Sequence, residues 1–121
     1  MSLRCLIVDD NAGFLRSARH LLEREGMTVV GVASTGDDAV RQAEALGPDI
    51  VLIDIELGRE SGFDVVGRLH GRLCPSPSDL ILISTHAEED FADLIAANPV
   101  AGFISKSHLT AGSIQRLVRR T

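Results

Sequence analysis

Short apolar runs alternate along this chain with segments of helical periodicity, and that alternation limits the fold more than any other feature. Residues 3–8 read as a strand, and 12–25 carry Phe14, Ala18, Leu21 and Leu22 on one helical face. Asn11 is placed to cap that helix and Gly26 to stop it. A second strand follows at 28–33. Thr35 with Asp38 then opens a helix that turns Ala39, Val40, Ala43 and Leu46 inward and stops at Gly47-Pro48. Residues 50–53 are apolar throughout between Asp49 and Asp54, the pattern of a central strand buried on both faces. After a loop at 56–61, Phe63, Val66 and Leu69 mark a helix over 62–72, and Cys74-Pro75-Ser76-Pro77-Ser78 is a turn-rich connector. A strand at 80–83, a helix at 88–97 with Phe91, Leu94 and Ile95 inward, and a strand at 100–104 come next. A last helix, capped by Thr110, turns Ile114, Leu117 and Val118 to one side. Five strands alternating with five helices predict parallel pairing, right-handed crossovers and helices on both faces: a single doubly wound α/β domain.

Composition narrows the function. A chain of 121 residues with 45% hydrophobic and 24% charged residues can bury about two-thirds of its unfolded surface, but it has no room for two domains. With no Trp or Tyr and four Phe, it offers few platforms for stacking bases. A net charge of −5 disfavours nucleic acid and anionic membrane surfaces alike, and no apolar run reaches the roughly 20 residues of a membrane span. Cys5 and Cys74 have no metal-ligand spacing and read as reduced thiols of a cytoplasmic protein. His20, His70, His86 and His108 do not cluster, and Arg116, Arg119 and Arg120 complement a helix dipole.

Ligands of such sheets bind beyond the carboxyl ends of the strands, where this sequence places Asp9, Asp10, Asp54, Ser84, Thr85 and Lys106. Three carboxylates brought together repel one another unless a cation neutralises them. Oxygen ligands without His or Cys select a hard ion, and a shallow, watered site suits Mg²⁺. Beside such a metal, which would hold one Asp54 oxygen and leave the other free, a hydroxyl and a lysine make a phosphoryl-transfer site with Asp54 as nucleophile.

These residues and their intervals resemble the receiver domain of two-component response regulators, from about residue 4 to 118. The acidic pair Asp9-Asp10, Asp54 at the end of an apolar strand, Ser84 thirty positions later and Lys106 twenty-two beyond that carry the likeness. The resemblance implies a flavodoxin-like sheet in the order 2-1-3-4-5. It also implies that Asp54 is the phosphoacceptor, that Asp10 binds Mg²⁺ directly with Asp9 acting through water, and that Glu56 offers its backbone carbonyl to the metal. Lys106 would pair with the phosphoryl group, Ser84 would be the switch hydroxyl and Phe103 the aromatic that follows it. Glu56 and His86 stand where the family modulates hydrolysis of the phosphoryl group. The implied partners are a histidine kinase or phosphotransfer protein in a phosphorelay, an output domain or downstream protein, and a second copy of the chain as a homodimer. The surface expected to change is that of the fourth helix, fifth strand and fifth helix.

The sequence departs from the usual pattern at three places. Ser107 stands where proline commonly follows the lysine, Thr85 adds a second hydroxyl after Ser84, and Leu57-Gly58-Arg59 replaces a Met-Pro pair. The last loop is therefore expected to differ and the 57–59 loop to be more mobile. Two rivals stand beside the phosphoacceptor reading: a binding module with a receiver fold that works without phosphorylation, and a phosphohydrolase of the haloacid dehalogenase type, suggested by Asp54-Ile55-Glu56. The latter family's motif follows the first strand and comes with a cap domain. Residues 1–121 are read as one receiver domain without an output domain, whose chemistry is self-phosphorylation and autodephosphorylation rather than metabolic turnover.

Overall fold

A computed structural model describes residues 3–71 and 78–118. Cys74 to Pro77 of the expected connector lie outside those residues, as do Arg119 and Arg120. The elements run β1 (Arg4–Val8), α1 (Ala12–Arg24), β2 (Thr28–Ala33), α2 (Gly36–Leu46), β3 (Ile50–Asp54), α3 (Gly62–His70), β4 (Asp79–Ser84), α4 (Ala92–Ala97), β5 (Gly102–Ser105) and α5 (Ala111–Val118). The five strands form one parallel sheet in the order β2-β1-β3-β4-β5, the doubly wound arrangement expected. Among the described residues no helix is long and apolar enough to cross a membrane.

The strands read as unbroken apolar runs because both faces are covered. Alternate side chains of one strand serve two cores. Leu6 and Val8 pack with Ala39, Val40, Val65, Val66 and Leu69 beneath α2 and α3. Cys5 and Ile7 pack with Leu15, Ala18, Leu22 and Ile114 beneath α1 and α5. The helix starts follow the capping chemistry: Asn11 Oδ1 accepts from Phe14 N at 3.0 Å, and Thr35 Oγ1 accepts from Asp38 N at 3.1 Å. Thr110 Oγ1 accepts from Ser113 N at 2.9 Å, and Gly47 closes α2 in the left-handed region.

Four details differ from expectation. In α1 the buried stripe is Leu15, Ala18 and Leu22, which leaves Phe14 and Leu21 at its margin. Residues 88–97 form no single helix: Glu88–Phe91 is a 3₁₀ turn and only Ala92–Ala97 is α-helical. No side chain caps the start at Ala87, which leaves the first turn tightly wound. Phe91 and Ile95, four residues apart, face the core, so Leu94 falls off their stripe and is 50% exposed. The last strand begins at Gly102 rather than 100. Finally, residues 56–61 are not an open loop. Glu56–Leu57 pairs antiparallel with Glu60–Ser61, and Gly58 takes the turn at φ 60°. Glu60 Oε2 accepts from Gly36 N at 2.9 Å and ties this hairpin to the start of α2.

Candidate functional site

The sheet register gathers the strand ends. Val8 pairs with Ile53, Asp54 with Ile83 and Ser84 with Ser105, so Asp9, Asp54, Ser84 and Lys106 emerge along one edge. Gly62 lets α3 start close by, since a Cβ there would fall onto the Asp54 carbonyl oxygen. Carboxylate oxygens of Asp9, Asp10 and Asp54 all lie within 4.8 Å of one another. Asp9 and Asp54 are buried and Asp10 faces solvent, which leaves the cluster open on one side.

Lys106 reaches into this cluster. Its Nζ lies 2.6 Å from Asp9 Oδ2 and 3.4 Å from Asp54 Oδ2, with only 14% of the side chain exposed. The Asp9 contact is ionic rather than directional, and Asp9 Oδ2 is a buried oxygen with no hydrogen-bond donor aligned on it. Three carboxylates against one ammonium leave about two uncompensated negative charges, which matches one divalent cation. All the donors are oxygens, and Asp9 Oδ2 is buried with only the Lys106 ammonium against it, so these residues fit a hard ion of the Mg²⁺ type.

Burial and the neighbouring charge of Asp9 push the Asp54 carboxyl up from 3.8 to about 6, opposed by Lys106 and by the Glu56 N–H that donates to Asp54 Oδ1 at 3.2 Å. Burial alone would lower Lys106, but its contact with Asp9 and the charges of Asp54 and Asp9 outweigh that and raise it, so the ammonium is retained. Cys5, by contrast, is pushed to about 12 by burial and is no nucleophile.

Ser84 is fully buried and its Oγ accepts from His86 N at 2.9 Å, whereas Thr85 is exposed. His86 Nδ1 also lies 2.9 Å from Glu56 Oε1, a contact between two exposed side chains. Two residues that the sequence places thirty positions apart thus touch directly. The His86 ring stands edge-on to Phe91 at 6.0 Å, and Phe91 in turn packs against Phe63 at 6.3 Å. Phe103 is set apart from the acidic cluster. It packs against the α2/α3 core and lines a cavity of about 490 Å³ with Glu88, Glu89, His108, Arg116 and Leu117. After Lys106 the chain forms a 3₁₀ turn, Lys106–His108, and the Ser105 and Ser107 hydroxyls meet at 3.0 Å. Phe14, which periodicity places on the apolar face of α1, lies with its ring against Lys106; the signal for that contact is its place one helical turn beyond Asp10.

Residues 5–118 match the family described as the response regulator receiver domain. A putative transcriptional regulator of Pseudomonas aeruginosa is 30% identical over 103 residues, covering 85% of this chain and 49% of its own length. A protein-glutamate methylesterase/protein-glutamine glutaminase of Thermotoga maritima is 32% identical over 121 residues, covering 98% of this chain and 33% of its own. The chain therefore spans half or less of these curated relatives. Among solved structures, the response regulator domain of Thermotoga maritima CheB superposes with a TM-score of 0.74 at 28% identity, over 97% of this chain and 89% of that one.

Proposed function

Because this chain belongs to the response regulator receiver domain family, the phosphorylation-controlled switch of two-component signalling, we propose that Asp54 is its phosphoacceptor. The observation that carries this reading is the acidic cluster at one sheet edge with the Lys106 ammonium against two of its members. The donor is a phosphohistidine of a kinase or phosphotransfer protein. An Asp54 oxygen attacks the phosphorus, the P–N bond breaks, and its electron pair returns to the donor imidazole, which then takes a proton. Lys106 neutralises charge on the transferring oxygens. Asp10 and one oxygen of Asp54 would hold Mg²⁺, with Asp9 acting through water and the Glu56 carbonyl completing the protein ligands; the bound metal would supply charge neutralisation.

The signal leaves through Ser84. When its hydroxyl turns to a phosphoryl oxygen, His86 N loses its acceptor, and the His86 ring touches Phe91 at the head of α4. Phe103 and the α4–β5–α5 face respond, and an output domain, a downstream protein or a second copy of the chain reads that face. We place this relay in the cytoplasm, where kinase and ATP are available, and assign the chain no catalytic turnover beyond its own phosphorylation and dephosphorylation.

Mass spectrometry after incubation with Mg²⁺ and acetyl phosphate tests the assignment. A single phosphoryl adduct on the wild type, lost in Asp54→Asn, is expected. An adduct that persists in Asp54→Asn contradicts it, and a wild type that takes none favours a binding module that works without phosphorylation.

A further inference from the structure

Lys106 is held by more than carboxylates. Its Nζ sits 4.4 Å from the centre of the Phe14 ring, on an ammonium that also lies 2.6 Å from Asp9 Oδ2. Phe14 is itself fixed from below: its N–H donates to Asn11 Oδ1 at 3.0 Å, and Asn11 N donates to Asp9 Oδ1 at 2.8 Å. The contacts form a closed circuit from Asp9 through Asn11, Phe14 and Lys106 back to Asp9. The bonds that cap α1 therefore also set the height of the ring over the site.

We infer that Phe14 is a positioning residue for phosphoryl acceptance, its ring face holding the Lys106 ammonium beside Asp54 through a cation–π contact. The inference rests on the reading of Asp54 as phosphoacceptor. A ring face attracts an ammonium most strongly where water is excluded, and the Lys106 side chain is only 14% exposed. The carboxylates attract it too, but their charge has other claims on it. With its charge shared with a nearby metal ion, Asp9 would pull less on the ammonium, whereas an uncharged ring binds no metal and keeps its hold. A leucine at 14 would fill similar volume against Leu15 and its neighbours but present no negative face. The ammonium would then be free to turn from Asp54 toward solvent.

Replacing Phe14 in the full chain with mono-, di- and trifluorinated phenylalanine keeps the shape nearly constant while weakening the ring face stepwise. The rate of phosphorylation by acetyl phosphate with Mg²⁺ is read by mass spectrometry, and the Lys106 methylene proton shifts by NMR. The rate is expected to fall with each fluorine, by about two- to fivefold over the series, with Phe14→Leu at the low end. The Lys106 methylenes are expected upfield in the wild type and to lose that ring-current shift in Phe14→Leu. A flat fluorine series on a chain that phosphorylates normally overturns the role of Phe14 and leaves Asp54 in place. A wild type that takes no phosphoryl group overturns the Asp54 reading instead. Lys106 shifts that ignore position 14 overturn the cation–π contact whatever the rates show.

Discussion

The acidic end of the sheet and the α4 side of the molecule are built to opposite standards. At the first, Asp9, Asp54 and Ser84 are buried, each held by named contacts, and the strands beneath them are inaccessible to solvent. At the second, α4 is six residues long, buries no residue fully, begins without a side-chain cap and leaves Leu94 half in water. The difference separates two demands. Phosphoryl chemistry needs charges fixed to within fractions of an ångström in a dry place. A switching face needs two arrangements close in energy, and such regions come from the weakly packed end of a fold.

Stability measurements sharpen the contrast most strongly. Ile53→Ala, beneath the acidic end, should cost about 3 kcal/mol in urea unfolding, against about 0.5 kcal/mol or less for Leu94→Ala. Similar losses at the two positions would break the comparison.

The acidic end should also carry a strain that the α4 side lacks. The Asp54 carboxyl takes its proton at about pH 6 in the metal-free fold but at 3.8 as an isolated group. Between those values the folded chain binds the extra proton, so stability falls as pH rises through the window. At neutral pH the gap corresponds to at most about 3 kcal/mol. Asp54→Asn should therefore be the more stable protein at pH 7 without metal, with its advantage fading as pH falls from about 6 to about 4 and gone below that. An advantage that persists to acid pH would assign it to packing rather than charge.

Smaller effects test individual contacts. Asp10→Asn should weaken Mg²⁺ binding about tenfold in calorimetric titration while leaving the fold intact, since Asp10 is exposed. His86→Ala removes the bridge to Glu56 and should speed loss of the phosphoryl group about two- to fourfold by admitting water; slower loss would assign the bridge the opposite role.

The sequence already showed the strand order, through the resemblance, and the strands themselves, through their apolar runs. The three Asp residues and Lys106 were also legible, because a strand end fixes where the next residue emerges. What was not legible depended on contacts between distant segments. The hairpin at 56–61 is tied down by Glu60 at the start of α2, a partner twenty-four residues away that no local pattern reports. The Glu56 to His86 bridge joins two loops that only the β3–β4 register brings together. Phe14 reads as core by periodicity, and only the path of the Lys106 side chain brings an ammonium against its ring. The 88–97 segment misled because Phe91, Leu94 and Ile95 look like one stripe, whereas an uncapped start winds the first turn as 3₁₀ and turns Leu94 outward.

Amide hydrogen exchange with and without phosphorylation tests the central claim most directly, that a rigid acidic end drives a loosely packed α4 face. Protection is predicted to change chiefly over residues 86–97 and 102–117, with β1 and β3 unaltered. A change confined to the residues around Asp54, or spread evenly through the sheet, would contradict it.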